Sequence, residues 1–201
     1  MMQLPVIVID TETTGLHTTT GTAVVEVAAV VLMPDGSQTF AFSTLINPFH
    51  RGRSPVLETE AMGMHGIPLE DLHRAPPAHM VDQGLDLFYR HVLDDYSPEL
   101  PLRGLRWTSW RQTFEAVMLG RCLPLMASWP RAACIHHIAR GHCRLDDLAT
   151  ERTPSLRQTA IALGIDIPAP RHRALPDAHL AARVLHALLS HDPAQPLELP
   201  Q

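Results

Sequence analysis

Val6-Ile7-Val8-Ile9-Asp10-Thr11-Glu12-Thr13-Thr14-Gly15-Leu16 is a β-branched run that ends in two acids and then in a turn. The apolar part reads as a strand, and Thr14-Gly15 closes it. An i, i+2 spacing at a strand end sends the side chains of Asp10 and Glu12 to the same face. Two anions held side by side repel unless a cation neutralises them, and hard oxygen ligands suit Mg²⁺ or Mn²⁺. A solvated turn after an edge strand accounts for the same two acids, so this stretch alone does not choose.

Working outward, Ala23 to Met33 is a second strand candidate and Ser37 to Ile46 a third, and Pro34-Asp35-Gly36 between them predicts an antiparallel hairpin. Asn47 to Pro77 is rich in Pro, Gly and His and predicts a long surface excursion with short helical turns. Val81, Leu85, Phe88, Tyr89 and Val92 fall at helical spacing. Arg103 to Ser109 then predicts a brief strand, and Phe114, Val117, Met118 and Leu119 a further helix. Ser155 and Gly164 bracket a helix over 156–163, and Pro176 opens a last one through Leu189. The expected organisation is a single domain over 1–191 followed by a short Pro-rich tail, 192–201, that frays.

Composition bounds the function without choosing it. No stretch approaches the roughly 18 apolar residues needed to span a bilayer, so a soluble cytoplasmic protein with no membrane partner is expected. Three cysteines cannot all pair with one another, which argues against a disulfide framework. The formal charge of -5 supplies no global basic field, and carboxylates gathered round a metal account for part of it.

The string Asp10-Thr11-Glu12-Thr13-Thr14-Gly15-Leu16 and the string His172-Arg173-Ala174-Leu175-Pro176-Asp177-Ala178 together resemble the first and last motifs of the DEDDh exonucleases. That family includes the DnaQ-like proofreading epsilon subunit of bacterial DNA polymerase III and several RNases. Glu26, the segment Met64-His65-Gly66-Ile67 followed by Ala75-Pro76, and the segment from Ser155-Leu156 to Gly164-Ile165 extend the resemblance, in the family's order, over most of the chain. It implies an α/β fold, a ribonuclease H-like mixed sheet with flanking helices. It also implies that Asp10, Glu12 and Asp177 hold two divalent cations, Mg²⁺ or Mn²⁺, while His172 deprotonates the attacking water. The implied activity is 3′-5′ exonucleolytic hydrolysis of DNA or RNA, with single-stranded 3′ ends as partners and nucleoside 5′-monophosphates as products.

The middle motif departs from the family. A string of the His-Asn-x-x-Phe-Asp type is expected, and the chain reads Trp110-Arg111-Gln112-Thr113-Phe114-Glu115. Glu115 therefore takes the place of an aspartate, and its additional methylene still allows it to reach a metal directly or through water. If it does not, the alternative is a nuclease-like module that binds nucleic acid or a partner with weakened catalysis. Thr13, Leu16 and His65 are candidate substrate contacts by resemblance, and Arg111 is a candidate phosphate contact.

Trp107, Trp110 and Trp129 are expected to pack in the core or groove wall rather than to stack bases. Cys134, His136, His137, His142 and Cys143 lack the two separated pairs of a structural zinc site and read as a helix. Association with a polymerase is possible but not favoured, because the tail after the last helix is short. The oligomeric state is not legible.

Overall fold

The computed structural model describes residues 5–96, 105–143, 154–167, 172–192 and 194–200. The opening run forms β1, Val6–Thr13, which pairs antiparallel with β2, Val24–Leu32, and β2 pairs antiparallel with β3, Gln38–Leu45. The expected hairpin link is present. Gly36 takes a φ of 87°, the Ser37 amide donates to Asp35 Oδ1 at 2.9 Å, and the Met33 amide donates to the Ser37 carbonyl at 2.9 Å. A fourth strand, β4 at Arg106–Thr108, lies parallel to β1, giving the order β3-β2-β1-β4. The expected strand began at Arg103, which lies outside the described residues. The sheet is therefore mixed, and its flanking helices complete the anticipated α/β class.

The excursion after β3 carries two short helices, α1 at Thr59–His65 and α2 at Leu69–Arg74. Next comes α3, Ala78–Tyr96, whose Val81, Leu85, Tyr89 and Val92 are buried as their spacing predicts. After β4 the chain forms α4, Gln112–Cys122, then α5, Pro124–Ala127, and α6, Ile135–His142. The last two helices are α7, Leu156–Ala162, and α8, Ala174–Ser190.

Every residue of β2 is buried, because helices cover both faces of the sheet. Ile7, Ile9, Val27, Ala29 and Val31 pack with Leu85, Met118, Leu119 and Met126. Val6, Val8 and Leu32 face the other way, toward Ile135, Ala160, Leu180 and Val184, while Ala28 and Val30 meet Ala174 and Ala178. Alternation along β1 and β2 thus puts Asp10, Glu12 and Glu26 on the face that α8 covers. Trp107, Trp110 and Trp129 are all buried, as expected of packing residues.

Two expectations need correction. Helix α8 begins at Ala174 rather than at Pro176, so the proline occupies its third position. It fits there because a first-turn N–H has no helical acceptor to lose. Part of the tail is packed rather than loose: Leu197 is buried, and its amide donates to the His142 carbonyl at 2.9 Å. An apolar side chain with a vacant place beside α6 and α7 outweighs the loose look of a Pro-rich composition. Among the described residues no helix is long and apolar enough to cross a membrane.

Candidate active site

Three carboxylates meet at the end of β1. Asp10 and Glu12 come from the strand and Asp177 from the first turn of α8, and each offers an oxygen within 4.8 Å of the others. Among the described residues this is the one group of three or more possible ligands so arranged. In register, Asp10 lies opposite Ala28 and Glu12 opposite Glu26, and the ladder bulges immediately afterwards, between Glu12 and Thr13. Bulges re-aim the chain at a strand end, and here the bulge turns the backbone into the loop that holds Leu16.

The electrostatics fit a missing positive charge. Burial pushes the Asp10 carboxyl well above the usual carboxylate range, and the charges of Glu115, Glu12, Asp177 and Glu26 push it further, in that order. Burial raises Glu12 to about 8, with Asp177 and Glu26 adding to the rise and Arg173 opposing it. Asp177 is raised by burial, against the charges of His172 and Arg157 and a backbone hydrogen bond at His172. Such a cluster stays ionised near neutral pH only if a cation joins it, and an all-carboxylate donor set suits a hard divalent ion. The residues present therefore fit the metal that the motif implied.

Glu115 is close, but it stands apart from the three. It is 5% exposed, burial raises it to about 8, and it is the foremost neighbouring charge acting on Asp10. Among the described residues its side-chain hydrogen-bond partner is Ser109, whose hydroxyl donates at 3.4 Å. Its oxygens lie outside the 4.8 Å set. Arg111, the N-cap residue of α4, is exposed and acts electrostatically on Glu115. Helix α4 thus delivers an acid to the margin of the site.

His172 stands just before α8 with a φ of 53°, the left-handed region that a non-glycine residue adopts uncommonly. Its charge is the largest of those favouring ionised Asp177. The four candidate substrate contacts separate. Leu16 is exposed, and its amide is held by Glu58 Oε2 at 2.9 Å. Thr13 is buried and spends its hydroxyl on the Gly15 carbonyl at 2.7 Å. His65 is buried, its Nδ1 accepts from the Ile67 amide at 3.0 Å, and its Nε2 has no hydrogen-bond partner among the described residues. An Nδ1 that accepts requires the proton on Nε2, which is thus a buried donor. Arg111 lies at the α4 corner instead.

Sequence reasoning missed two supports. Glu58 pins the β1–β2 loop so closely that a Cβ on Gly15 would lie 2.5 Å from its Oε1. No pattern in the sequence pairs those residues. Arg173 grips Glu26 through Nε at 3.0 and 3.2 Å and through NH2 at 2.7 Å. Here a signal was available, since Glu26 is the one charge in the apolar strand Val-Val-Glu-Val-Ala-Ala-Val-Val-Leu, and a buried charge demands a partner. The Cys134–Cys143 stretch forms α6 and contributes no metal group among the described residues; Cys134 donates its thiol to the Trp110 carbonyl at 3.3 Å.

The family model described as RNase T-type exonuclease matches residues 7–185. A sequence comparison with curated proteins finds no match. Among solved structures, the nuclease domain of 3′hExo, described as a DEDDh family member bound to rAMP, is 16% identical with a TM-score of 0.68. The match covers 98% of this chain and 96% of that one. Cell-death related nuclease 4 is 13% identical at a TM-score of 0.67, over 92% of this chain and 64% of its own. Exonuclease I from Methylocaldum szegediense is 16% identical at a TM-score of 0.69, over 94% of this chain and 41% of its own. The chain thus spans less than two thirds of the latter two proteins. At these identities the likeness establishes the fold, which is that of the ribonuclease H-like exonucleases.

Proposed function

We propose that this chain, which belongs to the RNase T-type exonuclease family, hydrolyses the terminal phosphodiester of a nucleic acid strand from its 3′ end. The observation that carries the proposal is the convergence of Asp10, Glu12 and Asp177 within 4.8 Å, with His172 acting on Asp177. In this reading the three carboxylates hold two divalent cations, with Glu115 supporting them from the Asp10 side. Bound there, the ions would stabilise charge on the attacking and departing oxygens.

The chain's own residues supply positioning and proton transfer. Leu16 offers an exposed apolar surface against which the terminal nucleotide can rest, and the buried His65 would reach it only if the loop around it opens. His172 accepts a proton from water as its oxygen bonds to phosphorus. The bond from phosphorus to the neighbouring 3′ oxygen breaks, that oxygen takes a proton from solvent, and a nucleoside 5′-monophosphate leaves. The nuclease domain of 3′hExo, which shares this fold, is bound to rAMP, and that supports a nucleotide as the ligand.

The test is to incubate end-labelled single-stranded DNA and RNA with the protein in Mg²⁺ or Mn²⁺, beside an Asp10→Ala variant. Stepwise shortening from the 3′ end, release of 5′-monophosphates, and loss of both in chelator and in the variant are expected. Absence of metal-dependent trimming of either polymer would remove the proposal.

A further inference from the structure

Glu26 and Arg173 lie outside the carboxylate group, yet they join the strand that carries two of its members to the helix that carries the third. Glu26 is the cross-strand neighbour of Glu12 on β2. Its carboxylate accepts from Arg173 at Nε and NH2 and also from the Ala174 amide, at 3.0 Å through Oε2. Arg173 is the N-cap residue of α8 and makes no side-chain cap of its own. The acid that serves this helix start therefore comes from another element, 148 residues away in sequence.

Two consequences follow from this geometry. With its oxygens engaged by a guanidinium and an amide, Glu26 is an anchor rather than a fourth metal ligand. Asp177 sits one turn along α8, its amide bonded to the Arg173 carbonyl at 3.1 Å, so the point where Glu26 grips the helix is the point from which Asp177 is aimed. His172 precedes Arg173 directly and has a φ of 53°, in the left-handed region.

We infer that the Glu26–Arg173 fork is a positioning device that sets Asp177 and His172 against Asp10 and Glu12, so that the metal group forms at full affinity. The inference rests on the proposed reading of the carboxylates as metal ligands. Glu26 is 5% exposed at its side chain and Arg173 39%, so the pair is fixed from the buried end and reaches solvent at the other. A forked arginine fixes direction as well as distance, which a single-point ammonium does not.

The experiment compares Glu26→Gln, Arg173→Gln, Arg173→Lys and the double Gln variant with the parent protein, measuring Mn²⁺ binding by calorimetry together with kcat and KM on a labelled oligonucleotide. Glu26→Gln keeps the side chain's shape and an acceptor for the Ala174 amide, which guards against simple misfolding. Outer partners of metal ligands change affinity or rate by roughly 10- to 100-fold. Each single Gln variant is expected to weaken Mn²⁺ binding and lower kcat by about tenfold or more, with KM for the oligonucleotide within about twofold. The double variant is expected to lose no more than the worse single one, because the two residues act as a unit. Arg173→Lys should recover part of the loss.

Mn²⁺ affinity and kcat within about twofold of the parent in either single Gln variant would overturn the inference. So would losses that multiply in the double variant, or a double variant that regains the parent's affinity. A parent that binds Mn²⁺ but trims nothing would count against the proposed reaction alone, and the Mn²⁺ titrations would still decide the fork.

Discussion

Helices α4 and α8 each bring one acid to the end of β1, and they do so from the same place in the helix. Glu115 is four residues past the N-cap Arg111, and Asp177 is four residues past the N-cap Arg173. Neither cap residue makes a side-chain cap bond. The difference lies in what holds the helix start. Arg173 is forked onto Glu26 of the central sheet, whereas no ion pair holds Arg111 among the described residues, and Glu115 itself touches Ser109 at 3.4 Å. Helix α8, tied to the sheet by this ion pair, places its shorter acid inside the carboxylate group; α4, whose Gln112 side chain donates to the Trp107 and Ala132 carbonyls at 3.2 and 3.0 Å, leaves a longer acid at its margin. A side chain's reach is thus set less by its own length than by where its helix is seated against the sheet.

Breaking the anchored side should cost most. Asp177→Asn is expected to abolish measurable trimming, a loss beyond the roughly 10²- to 10⁴-fold that removal of a general base produces. A gel assay at high enzyme concentration, with His172→Ala alongside, checks the ranking. An Asp177→Asn variant faster than His172→Ala would mean that the carboxylate group is not the centre of the chemistry.

On the other side, Glu115→Gln is expected to lower turnover by at least about a hundredfold, because it removes a charge that acts directly on Asp10. Glu115→Asp sharpens the comparison, since it installs the acid that the resemblance predicted at this position. If α4 is set back, the shortened side chain loses Ser109 and retreats from Asp10, and turnover falls by roughly tenfold. Faster turnover than the parent would show that α4 lies close enough for aspartate and that the additional methylene hinders.

These two corners were unequally legible in the sequence. Asp10 and Glu12 could be placed together because period-two alternation is a local rule, and Asp177 followed from a second local string. Glu115 could be assigned to a helix start, but its distance from Asp10 depends on how α4 seats against the sheet, which no spacing encodes. Glu26 was conspicuous as a charge in an apolar strand, yet its partner lies 147 residues away. The start of α8 was read two residues late because Pro176 is a strong local signal, while the acid serving the true start is supplied by β2. Leu197 illustrates the same limit, since only the packed fold offers it a place to be buried.

The crowded carboxylates also predict how stability depends on pH. Glu12 and Glu115 titrate at about 8 in the metal-free fold, above their ordinary 4.5. Between those values the folded chain keeps protons that the unfolded chain has released, so stability without metal falls as pH rises through this window and levels off above it. Divalent ions replace those protons, and their affinity grows with pH. Melting temperatures in chelator should therefore decline from about pH 5 to about pH 8, and excess Mn²⁺ should flatten the decline. Identical slopes with and without metal would mean that the ions do not enter this group.

The smallest effect comes from α7, which supplies a contrast to both helices because its start is capped from its own sequence. The Gln158 amide donates to Ser155 Oγ at 3.1 Å, and the Ser155 amide donates to Gln158 Oε1 at 3.1 Å. Such a capping box satisfies two helix-end donors reciprocally without help from the sheet. Ser155→Ala should cost about 1 kcal/mol, the usual worth of an N-cap, and lower the melting temperature by roughly 2–4 °C. It should change kcat and Mn²⁺ affinity far less than Glu26→Gln does, because the cap fixes α7 locally and this helix acts on the carboxylates through the Arg157 charge on Asp177 rather than through a tie to the sheet. The cap of α8 reaches the site because Glu26 belongs to the strand beside Glu12. If Ser155→Ala lowered Mn²⁺ affinity as Glu26→Gln is expected to, a general loosening of the helical layer would explain both, and the distinction between local and sheet-borne caps would fail.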